Sequence, residues 1–194
     1  MFEFPKNSKK IKEYFRFIHH KTYDVSLIKK ELLNLKKEWL DDTSRQEMFV
    51  VHKNTITLFL TNFNADWNKK SPYKIKKLYS EYKIWDYVNP IIKDLEKIHN
   101  GLVAKVMFSN LKSNCKIYKH NDSNEYLDIA RRHHIPIVTN NNVFFNIEGG
   151  SLNMLEGECW EINNMKEHEV INNSNEDRIH LMIDIIPNEY INDN

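Results

Sequence analysis

The sequence predicts a mainly β domain, either an antiparallel sandwich or a barrel of the jelly-roll type, with helices on its N-terminal side. Two observations support this fold class. From residue 102 onward, short runs with strand character follow one another at close spacing, separated by turns rich in Asn, Ser and Gly. Before that point, apolar residues recur at helical spacing and one pair of runs has the pattern of a hairpin. The 194 residues suffice for one domain with a core of its own.

The first predicted helix begins at Ser26, whose side chain can cap it. Its apolar face consists of Ile28, Leu32, Leu35 and Trp39. Between this helix and the next, the runs 48–51 and 55–60 predict the two strands of a hairpin, joined by a turn at residues 53–54. A second helix is predicted to begin at Asn89-Pro90, with Pro at the first helical position, and to end at Asn100-Gly101.

Seven further strands are predicted in the C-terminal part, over residues 103–109, 116–120, 134–138, 143–147, 158–162, 169–171 and 179–186. Turn residues separate them, and Gly149-Gly150 is predicted to be one of these turns. No linker between the predicted elements is long enough to separate two domains, so the sequence predicts a single one.

The net charge of +1 conceals an asymmetry. Residues 1–119 contain 24 Lys and Arg against 13 Asp and Glu, a balance of +11, whereas residues 120–194 contain 4 against 14, a balance of −10. In the basic part, Lys alternates with aromatic residues at 9–16 and 74–79, which is compatible with contacts to nucleic acid or to an acidic protein. Scattered Lys on amphipathic helices is more often a solvated face, so nucleic acid is not the expected partner.

Nothing in the sequence predicts export or a membrane. The apolar runs fall short of the roughly 20 residues that a membrane-spanning helix needs, and the N-terminal residues lack the apolar stretch of a signal peptide. Cys115 and Cys159 have no CxxC spacing, which is typical of proteins in a reducing compartment. We therefore expect a cytoplasmic protein.

The sequence His120-Asn121-Asp122 is the first indication of chemistry, and His168 follows 48 residues after its first member. In a strand or at its end, residues i and i+2 point to the same side, so His120 and Asp122 can bind one metal ion. A third ligand from a distant strand would complete two His and one carboxylate, which leaves three positions open, as in non-haem Fe(II) oxygenases. The alternative is a solvated strand end without metal.

Arg178 stands at the start of an apolar run, residues 179–184. A guanidinium at the start of a buried strand needs an anionic partner, because burying an unpaired charge is costly. A dicarboxylate cosubstrate would supply that partner with bidentate geometry. The alternative is a salt bridge to Glu176, Asp177 or another acid.

These features resemble the aspartyl/asparaginyl β-hydroxylase family of Fe(II)- and 2-oxoglutarate-dependent dioxygenases. The resemblance covers residues 107–187 and depends on four segments in this order: Phe108-Ser109-x-Leu111 leading to Ile117-x-x-His120-x-Asp122; Arg132-His133-His134-Ile135-Pro136; Glu156-Gly157 leading to Glu167-His168-Glu169-Val170-x-Asn172; and Arg178-x-His180-Leu181-x-Ile183-Asp184. The combination is more specific than any one segment.

The resemblance implies a double-stranded β-helix, the cupin-like jelly roll, and a hydroxylase that uses Fe(II), 2-oxoglutarate and O₂ and releases succinate and CO₂. The chain would be one dioxygenase domain over 1–194, with a helical region and hairpin at 1–101 packed on a catalytic core at 102–187. The substrate would be a free amino acid or similar small molecule, with a protein side chain as the close alternative. A different function is a cupin-type metal-binding or isomerase module that does not use 2-oxoglutarate.

Residue by residue, the resemblance implies that His120, Asp122 and His168 hold the iron. Arg178 would bind the distal carboxylate of 2-oxoglutarate, with the Ser109 hydroxyl as a second donor. His134 would lie near the other carboxylate of the cosubstrate. Arg132 would face either that carboxylate or the substrate, and Arg131 would replace it if the register slips by one residue.

Three other His positions have less specific interpretations. His180 lies two residues after Arg178, so it either lines the substrate pocket or is a hydrogen-bonded core histidine. His133 should point outward if His134 points inward, and it is assigned no role. His19-His20 lies in a stretch rich in Lys and aromatic residues and is predicted to be solvated.

Overall fold

Two antiparallel β-sheets form the body of the protein, as seen in a computed structural model that describes residues 15–35, 37–61 and 77–191. The major sheet has six strands in the order β1-β8-β5-β10-β3-β2, and the minor sheet has four in the order β4-β9-β6-β7. The strands are β1 Phe17–Thr22, β2 Thr55–Phe59, β3 Gly101–Leu111, β4 Cys115–His120, β5 Arg131–Val138, β6 Val143–Ile147, β7 Gly150–Leu152, β8 Glu158–Ile162, β9 His168–Asn172 and β10 Arg178–Pro187.

Three α-helices accompany the sheets: α1 Ser26–Leu32, α2 Ser44–Met48 and α3 Ile84–His99. Single turns of 3₁₀-helix occupy Glu38–Leu40, Val50–His52 and Asn188–Tyr190. The longest helix, α3, buries the face made by Val88, Ile91, Ile92 and Leu95 against the outer side of the major sheet. This architecture confirms the predicted fold class, a double-stranded β-helix with flanking helices.

The alternating direction of side chains along the central strands separates an apolar core, which faces the helices, from a polar interior between the sheets. In β10, Leu181 and Ile183 pack into the helix-facing core, whereas Arg178, His180 and Asp184 point the other way, between the sheets. A second apolar cluster, which includes Ile117, Phe145, Ile147 and Val170, also lies between the two sheets. Ile117, Phe145 and Val170 line one cleft together with His168 and Arg178, so the polar end of the sandwich, where β4 ends and β9 and β10 begin, adjoins this cluster directly.

The predicted hairpin is wrong in its first strand. Residues 44–48 form α2 and 50–52 form a 3₁₀ turn, and β2 pairs with β3 instead of with a preceding strand. The Asp42 carboxylate accepts a hydrogen bond from the Ser44 backbone N–H, which starts α2 locally. Phe49 and Val50 stay exposed, so the apolar run that indicated a strand is not buried as one.

Helix α1 begins at Ser26 as predicted, but the Ser26 side chain does not cap it. The Asp24 carboxylate accepts the hydrogen bond from the Ser26 N–H, and the helix ends at Leu32, before Trp39. The predicted start of the second helix is wrong. Helix α3 begins at Ile84, six residues before Pro90. Pro90 is tolerated inside the helix because it lies on the exposed face, where water can satisfy the carbonyl that its missing N–H leaves free.

The predicted end of α3 is confirmed. Asn100 takes a left-handed conformation, with φ of 43°, as a helix C-terminus commonly requires. Gly101 follows because a Cβ at this position would lie 2.4 Å from the backbone oxygen of Ile186. Helix α3 thus leads directly into β3, beside the end of β10.

The seven strands predicted after residue 102 are all present, with ends shifted by at most three residues. Two strands escaped prediction, β1 at one edge of the major sheet and β7 after the turn at Gly149. Because β1 and β2 belong to the major sheet, the region before residue 102 contributes to the sandwich itself. The assignment of the whole chain to one domain stays a prediction.

Among the residues that the structure describes, no helix has the length and apolar character needed to cross a membrane. Most of the Lys-rich stretches at 9–16 and 74–79, which are compatible with contacts to nucleic acid but more often form a solvated face, lies outside the described residues.

Candidate active site

Three side chains with metal-binding atoms meet at the polar end of the sandwich. His120 ends β4, His168 begins β9, and these two residues are paired across the strands. Asp122 follows β4 by two residues, and its Oδ1 lies 3.7 Å from the His120 Nε2. One ligand atom from each of the three lies within 4.8 Å of the others. The donor set is the two imidazoles and one carboxylate that suit a divalent iron.

Backbone contacts orient this trio. The Nδ1 of His120 bonds to the Tyr118 carbonyl at 2.6 Å, and the Nδ1 of His168 bonds to the Lys166 carbonyl at 2.8 Å. In each ring this leaves Nε2, on the side of the cluster, as the nitrogen with a free lone pair. Buried Asn164 holds the Asp122 backbone, since it accepts the Asp122 N–H at its carbonyl and donates Nδ2 to the Asp122 carbonyl.

Arg132 belongs to a network of carboxylates. Its Nε and Nη2 donate to the two oxygens of Asp184 at 2.9 and 2.8 Å, and its Nη1 donates to Asp122 at 2.5 Å. Tyr126 adds a hydrogen bond from its hydroxyl to Asp184. Burial acts to raise the pKa of Asp122, but Arg132 and the neighbouring histidines outweigh it and lower that pKa, so the carboxylate stays ionised.

The guanidinium of Arg132 therefore binds two acids. It holds Asp122 in place and lines a cavity beside the trio, and its role toward cosubstrate or substrate stays a prediction. Arg131 does not replace it, because Arg131 points to the opposite face of β5 and pairs with Glu161.

Arg178 lies on the inner face of β10 and is 1% exposed. The predicted alternative, a salt bridge to Asp177, does not form, since Asp177 binds Lys112, Asn110 and the Ser113 backbone. Among the described residues, no carboxylate pairs with Arg178; its Nη2 contacts the His180 Nδ1 at 2.6 Å and its Nε has no partner. Burial, and then the charge of Arg45, lower its pKa to about 9.

Other polar atoms beside Arg178 also lack hydrogen-bond partners. The Ser109 hydroxyl, both ring nitrogens of His134 and the His180 Nε2 are buried and unbonded within the described part of the chain. Ser109 and His180 face one another across β3 and β10, and the His134 ring lies 5.7 Å from that of His180. Unbonded polar atoms in a native interior usually mark a missing ligand or water. The structure thus brings Ser109, His134 and Arg178 together with the metal trio around one narrow cleft.

A wider cavity of about 680 Å³ opens beside the metal trio. Its charged and aromatic lining includes Arg45, His52, Lys105 and Tyr126, in addition to Arg132. Burial lowers the pKa of Arg45 to about 10 and that of Lys105 to about 8, so both remain largely cationic near neutral pH. A separate cavity of about 810 Å³ lies between α1 and the outer side of the sheet and contains none of these groups.

Sequence reasoning did not identify Arg45, His52, Tyr126 or Asn164. Arg45 reaches the site from α2, where its Nη2 contacts the His52 Nε2 at 3.1 Å. A signal was available for Arg45, since it is one of only five arginines and lies between two predicted elements. No local pattern marks the other three, because their positions depend on how distant segments pack.

Burial of His52 should make the unfolding free energy of the protein depend on pH. Burial, and then the charge of Arg45, lower the pKa of His52 from 6.5 to about 2. The unfolded chain therefore takes up this proton first, and stability present above pH 6.5 is lost as the pH falls below it, by about 1.4 kcal/mol per pH unit. Between pH 7.5 and 5.5, His52→Gln should lose about 1.4 kcal/mol less unfolding free energy than the wild type, measured by urea denaturation without metal. Exposed His19→Gln is the control and should keep the wild-type slope.

Comparison with solved structures supports the fold. A viral collagen prolyl hydroxylase from Paramecium bursaria Chlorella virus-1 superposes with a TM-score of 0.59 at 8% identity, over 91% of this chain and 99% of that one. A prolyl hydroxylase from Trichoplax adhaerens gives 0.56 at 9% identity, over 95% and 92%. An oxidoreductase of the 2OG-Fe(II) oxygenase family from Burkholderia pseudomallei gives 0.53 at 8% identity, over 87% and 94%. At these identities the similarity concerns the fold alone.

Sequence comparison identifies the family. No curated protein sequence matches the chain significantly. The family model described as aspartyl/asparaginyl beta-hydroxylase matches residues 23–187, which is most of the chain and includes every residue placed at the site above. The match confirms the resemblance found in the four sequence segments. The protein therefore belongs to the aspartyl/asparaginyl β-hydroxylase family and is a 2-oxoglutarate-dependent hydroxylase.

Proposed function

We propose that the protein hydroxylates an unactivated C–H bond of an amino acid or an amino-acid side chain, with release of succinate and CO₂. The observation that carries this proposal is buried Arg178, which has no acid partner within the described residues and lies beside a cluster of His120, Asp122 and His168. A metal-binding trio next to an unpaired buried cation suits a cosubstrate that both chelates a metal and carries a second carboxylate.

His120, Asp122 and His168 would hold Fe(II), which with 2-oxoglutarate and O₂ supplies the oxidising chemistry. The protein's part is to keep both Nε2 atoms and one carboxylate oxygen directed at the same point. The two backbone carbonyls that accept from the histidine Nδ1–H groups fix the ring orientation, and Arg132 fixes the carboxylate.

Arg178 would bind the distal carboxylate of 2-oxoglutarate, and the Ser109 hydroxyl would donate to the same group. His134 would contact the other carboxylate. Burial, and then Arg178, lower the pKa of His134 well below its usual value, so its neutral ring offers one N–H donor. The cleft these residues line has a volume of only about 20 Å³, so side chains around it must move outward to admit the cosubstrate.

The substrate would occupy the 680 Å³ cavity beside the trio, and this volume is typical of pockets that bind small molecules. Arg45 and Lys105 in its wall would attract a carboxylate. We therefore favour a free amino acid or a similar small molecule over a protein side chain. The cytoplasm remains the expected compartment.

The competing function is a cupin-type metal-binding or isomerase module that does not use 2-oxoglutarate. Both functions require the metal trio, but only the oxygenase gives Arg178 and Ser109 a ligand. Two measurements separate them. Anaerobic protein with Fe(II) should develop a weak visible charge-transfer band when 2-oxoglutarate is added, and aerobic protein should release succinate when a panel of free amino acids is tested.

Metal binding without the charge-transfer band would overturn the oxygenase proposal and favour the cupin-type module. A charge-transfer band with no succinate release in the presence of any free amino acid would keep the cosubstrate assignment and move the proposed substrate to a protein side chain. Peptides containing Asp, Asn or Pro would then be the next substrates to test.

A further inference from the structure

A second cluster of metal-binding side chains lies on the other face of the major sheet. His20, His99, His133 and Glu161 each place one nitrogen or carboxylate oxygen within 4.8 Å of the others. Side chains alternate along β5, so His134 points toward the candidate iron site and adjacent His133 points away from it. The sheet therefore separates this cluster from the candidate iron site.

Four different elements deliver these groups: β1, the C-terminal end of α3, β5 and β8. His133 and Glu161 face one another across β5 and β8. The pairing of β1 with β8 shifts register between His19 and Lys21, which leaves His20 as the extra residue of a bulge. Bulges re-aim a side chain, and this one directs the His20 ring toward Glu161.

The spacing of the ligand atoms matches a small tetrahedral site. Metal–ligand bonds of 2.0–2.1 Å at tetrahedral angles place neighbouring ligand atoms about 3.3 Å apart. The measured separations are 2.8 Å between the Nε2 atoms of His99 and His133, and 3.1 Å and 3.9 Å from the Glu161 Oε2 to His20 Nε2 and His99 Nε2. These three of the six separations bracket the tetrahedral value, and the remaining three are within 4.8 Å, so small shifts would bring the four atoms around one ion. The three imidazole rings have centroids 4.8 to 5.3 Å apart.

Surrounding contacts orient the ligands as around a bound metal. The Nδ1 of His133 donates to the Ile183 carbonyl at 3.2 Å, which leaves its Nε2 lone pair directed into the cluster. Arg131 holds the Glu161 carboxylate through both oxygens, with its Nη2 2.9 Å from Oε2. Glu161 and His133 are fully buried, and His99 and His20 are largely so.

We propose that His20, His99, His133 and Glu161 form a structural Zn²⁺ site, with three histidine Nε2 atoms and one Glu161 oxygen as ligands. Four protein ligands leave no open position, which is typical of structural sites. The ion would join edge strand β1 and the end of α3 to the centre of the major sheet. Arg131 repels the Zn²⁺ ion and neutralises the charge of Glu161, and both effects limit the affinity of the site for Zn²⁺.

The competing interpretation is a metal-free hydrogen-bond network. In that network His20 donates to Glu161, and the His99 Nε2–H donates to the His133 Nε2. Such a network explains each contact separately, but it does not require four ligand atoms to converge on one point from four elements. Metal binding by the whole protein distinguishes the two.

The test uses the full chain with Zn²⁺ and with Co²⁺ as a spectroscopic probe. After dialysis against excess Zn²⁺ and removal of loosely bound ion, the wild type should retain two equivalents, one at each cluster. His120→Ala disrupts the candidate iron site and should retain one. In His120→Ala, Co²⁺ should give the intense visible bands of tetrahedral coordination, which a six-coordinate site lacks.

His99→Asn removes one ligand at the helix end, where the fold should tolerate the change, and should abolish the tetrahedral Co²⁺ bands. His19→Gln, which alters the exposed neighbour of His20, is the matched control and should keep them. One retained Zn²⁺ in the wild type, none in His120→Ala and no tetrahedral Co²⁺ spectrum in either would overturn the proposal and favour the network. These readouts do not involve 2-oxoglutarate or turnover, so they are independent of the proposed function.

Discussion

Replacing Arg178 with Met is expected to stabilise the protein without ligand and to weaken its binding of 2-oxoglutarate strongly. Arg178 is buried with no acid partner among the described residues, and its Nε makes no hydrogen bond. Exchanging buried ion pairs for well-packed apolar side chains of similar volume is often neutral or stabilises a fold by about 1–4 kcal/mol, and Arg178 lacks the acid that would offset the cost of burying its charge. Removing one member of a buried, hydrogen-bonded charge pair in the complex costs about 2–5 kcal/mol, so affinity should fall at least about 30-fold.

Two measurements on the same variant check this prediction. Urea denaturation without ligand gives the change in unfolding free energy, and anaerobic titration of the Fe(II) protein with 2-oxoglutarate gives the change in affinity. Arg16→Met is the matched control, since Arg16 is exposed and should affect neither value. Undiminished 2-oxoglutarate affinity in Arg178→Met would contradict the assigned role, and so would a loss of Fe(II) from that variant.

Replacing His168 with Ala is expected to remove Fe(II) binding and with it all turnover. His168 is 4% exposed, stacks on Phe145 and has its Nδ1 bonded to the Lys166 carbonyl, so its Nε2 is rigidly held at the trio. Loss of outer-shell partners alone costs about 10–100-fold in metal affinity, and loss of a ligand should cost at least about 100-fold. The fold should survive, because His168 begins β9 and the change removes no apolar side chain from either cluster, only a ring contact with Phe145.

Fe(II) content after anaerobic reconstitution, and succinate release with substrate, measure the effect. His19→Ala is the control and should bind iron as the wild type does. A His168→Ala protein that retains a full equivalent of Fe(II) and turns over would show that the iron lies elsewhere. Asp122→Asn provides a second comparison, because it keeps the size of the side chain and removes the charge that pairs with Arg132.

Much of the candidate site could be predicted from the spacing of residues along strands. His120 and Asp122 are two residues apart, and Arg178 and His180 likewise, so alternation alone predicted that each pair shares a side. The structure brings the first pair together with His168 and the second beside Ser109 and His134. Their roles in binding iron and 2-oxoglutarate stay predictions until the variants are measured.

Predictions from local sequence were wrong where contacts with a distant segment determine the structure. The run Phe49-Val50-Val51 has strand propensity, but β2 finds its partner in β3, which begins 42 residues after β2 ends. No local pattern indicated the acids that Arg132 meets: Asp184, directly opposite it across β5 and β10, accepts from its Nε and Nη2, and Asp122 accepts from its Nη1. Similarly, His20 was predicted to be solvated, and a bulge turns it into the buried cluster around Glu161.

The charge asymmetry shows the same division. The acidic C-terminal part contains the residues assigned to an anionic cosubstrate. An anion can bind there because Arg178 is buried inside the sandwich, while most of the acids lie elsewhere. Arg45 and Lys105 from the basic part complete the cavity beside the metal trio. Net charge therefore gave no information on the ligand, since binding depends on which few charges are buried.

The sequence by itself determined the strand-rich core, the family and the spacing of the metal and cosubstrate residues, because periodicity and short motifs are properties of neighbouring residues. Only the tertiary structure decided which acid each arginine meets, which strands form the sheet edges and where His20, His99, His133 and Glu161 converge. Those outcomes depend on the register between strands that are far apart in the chain, and register is set by packing of the whole sheet.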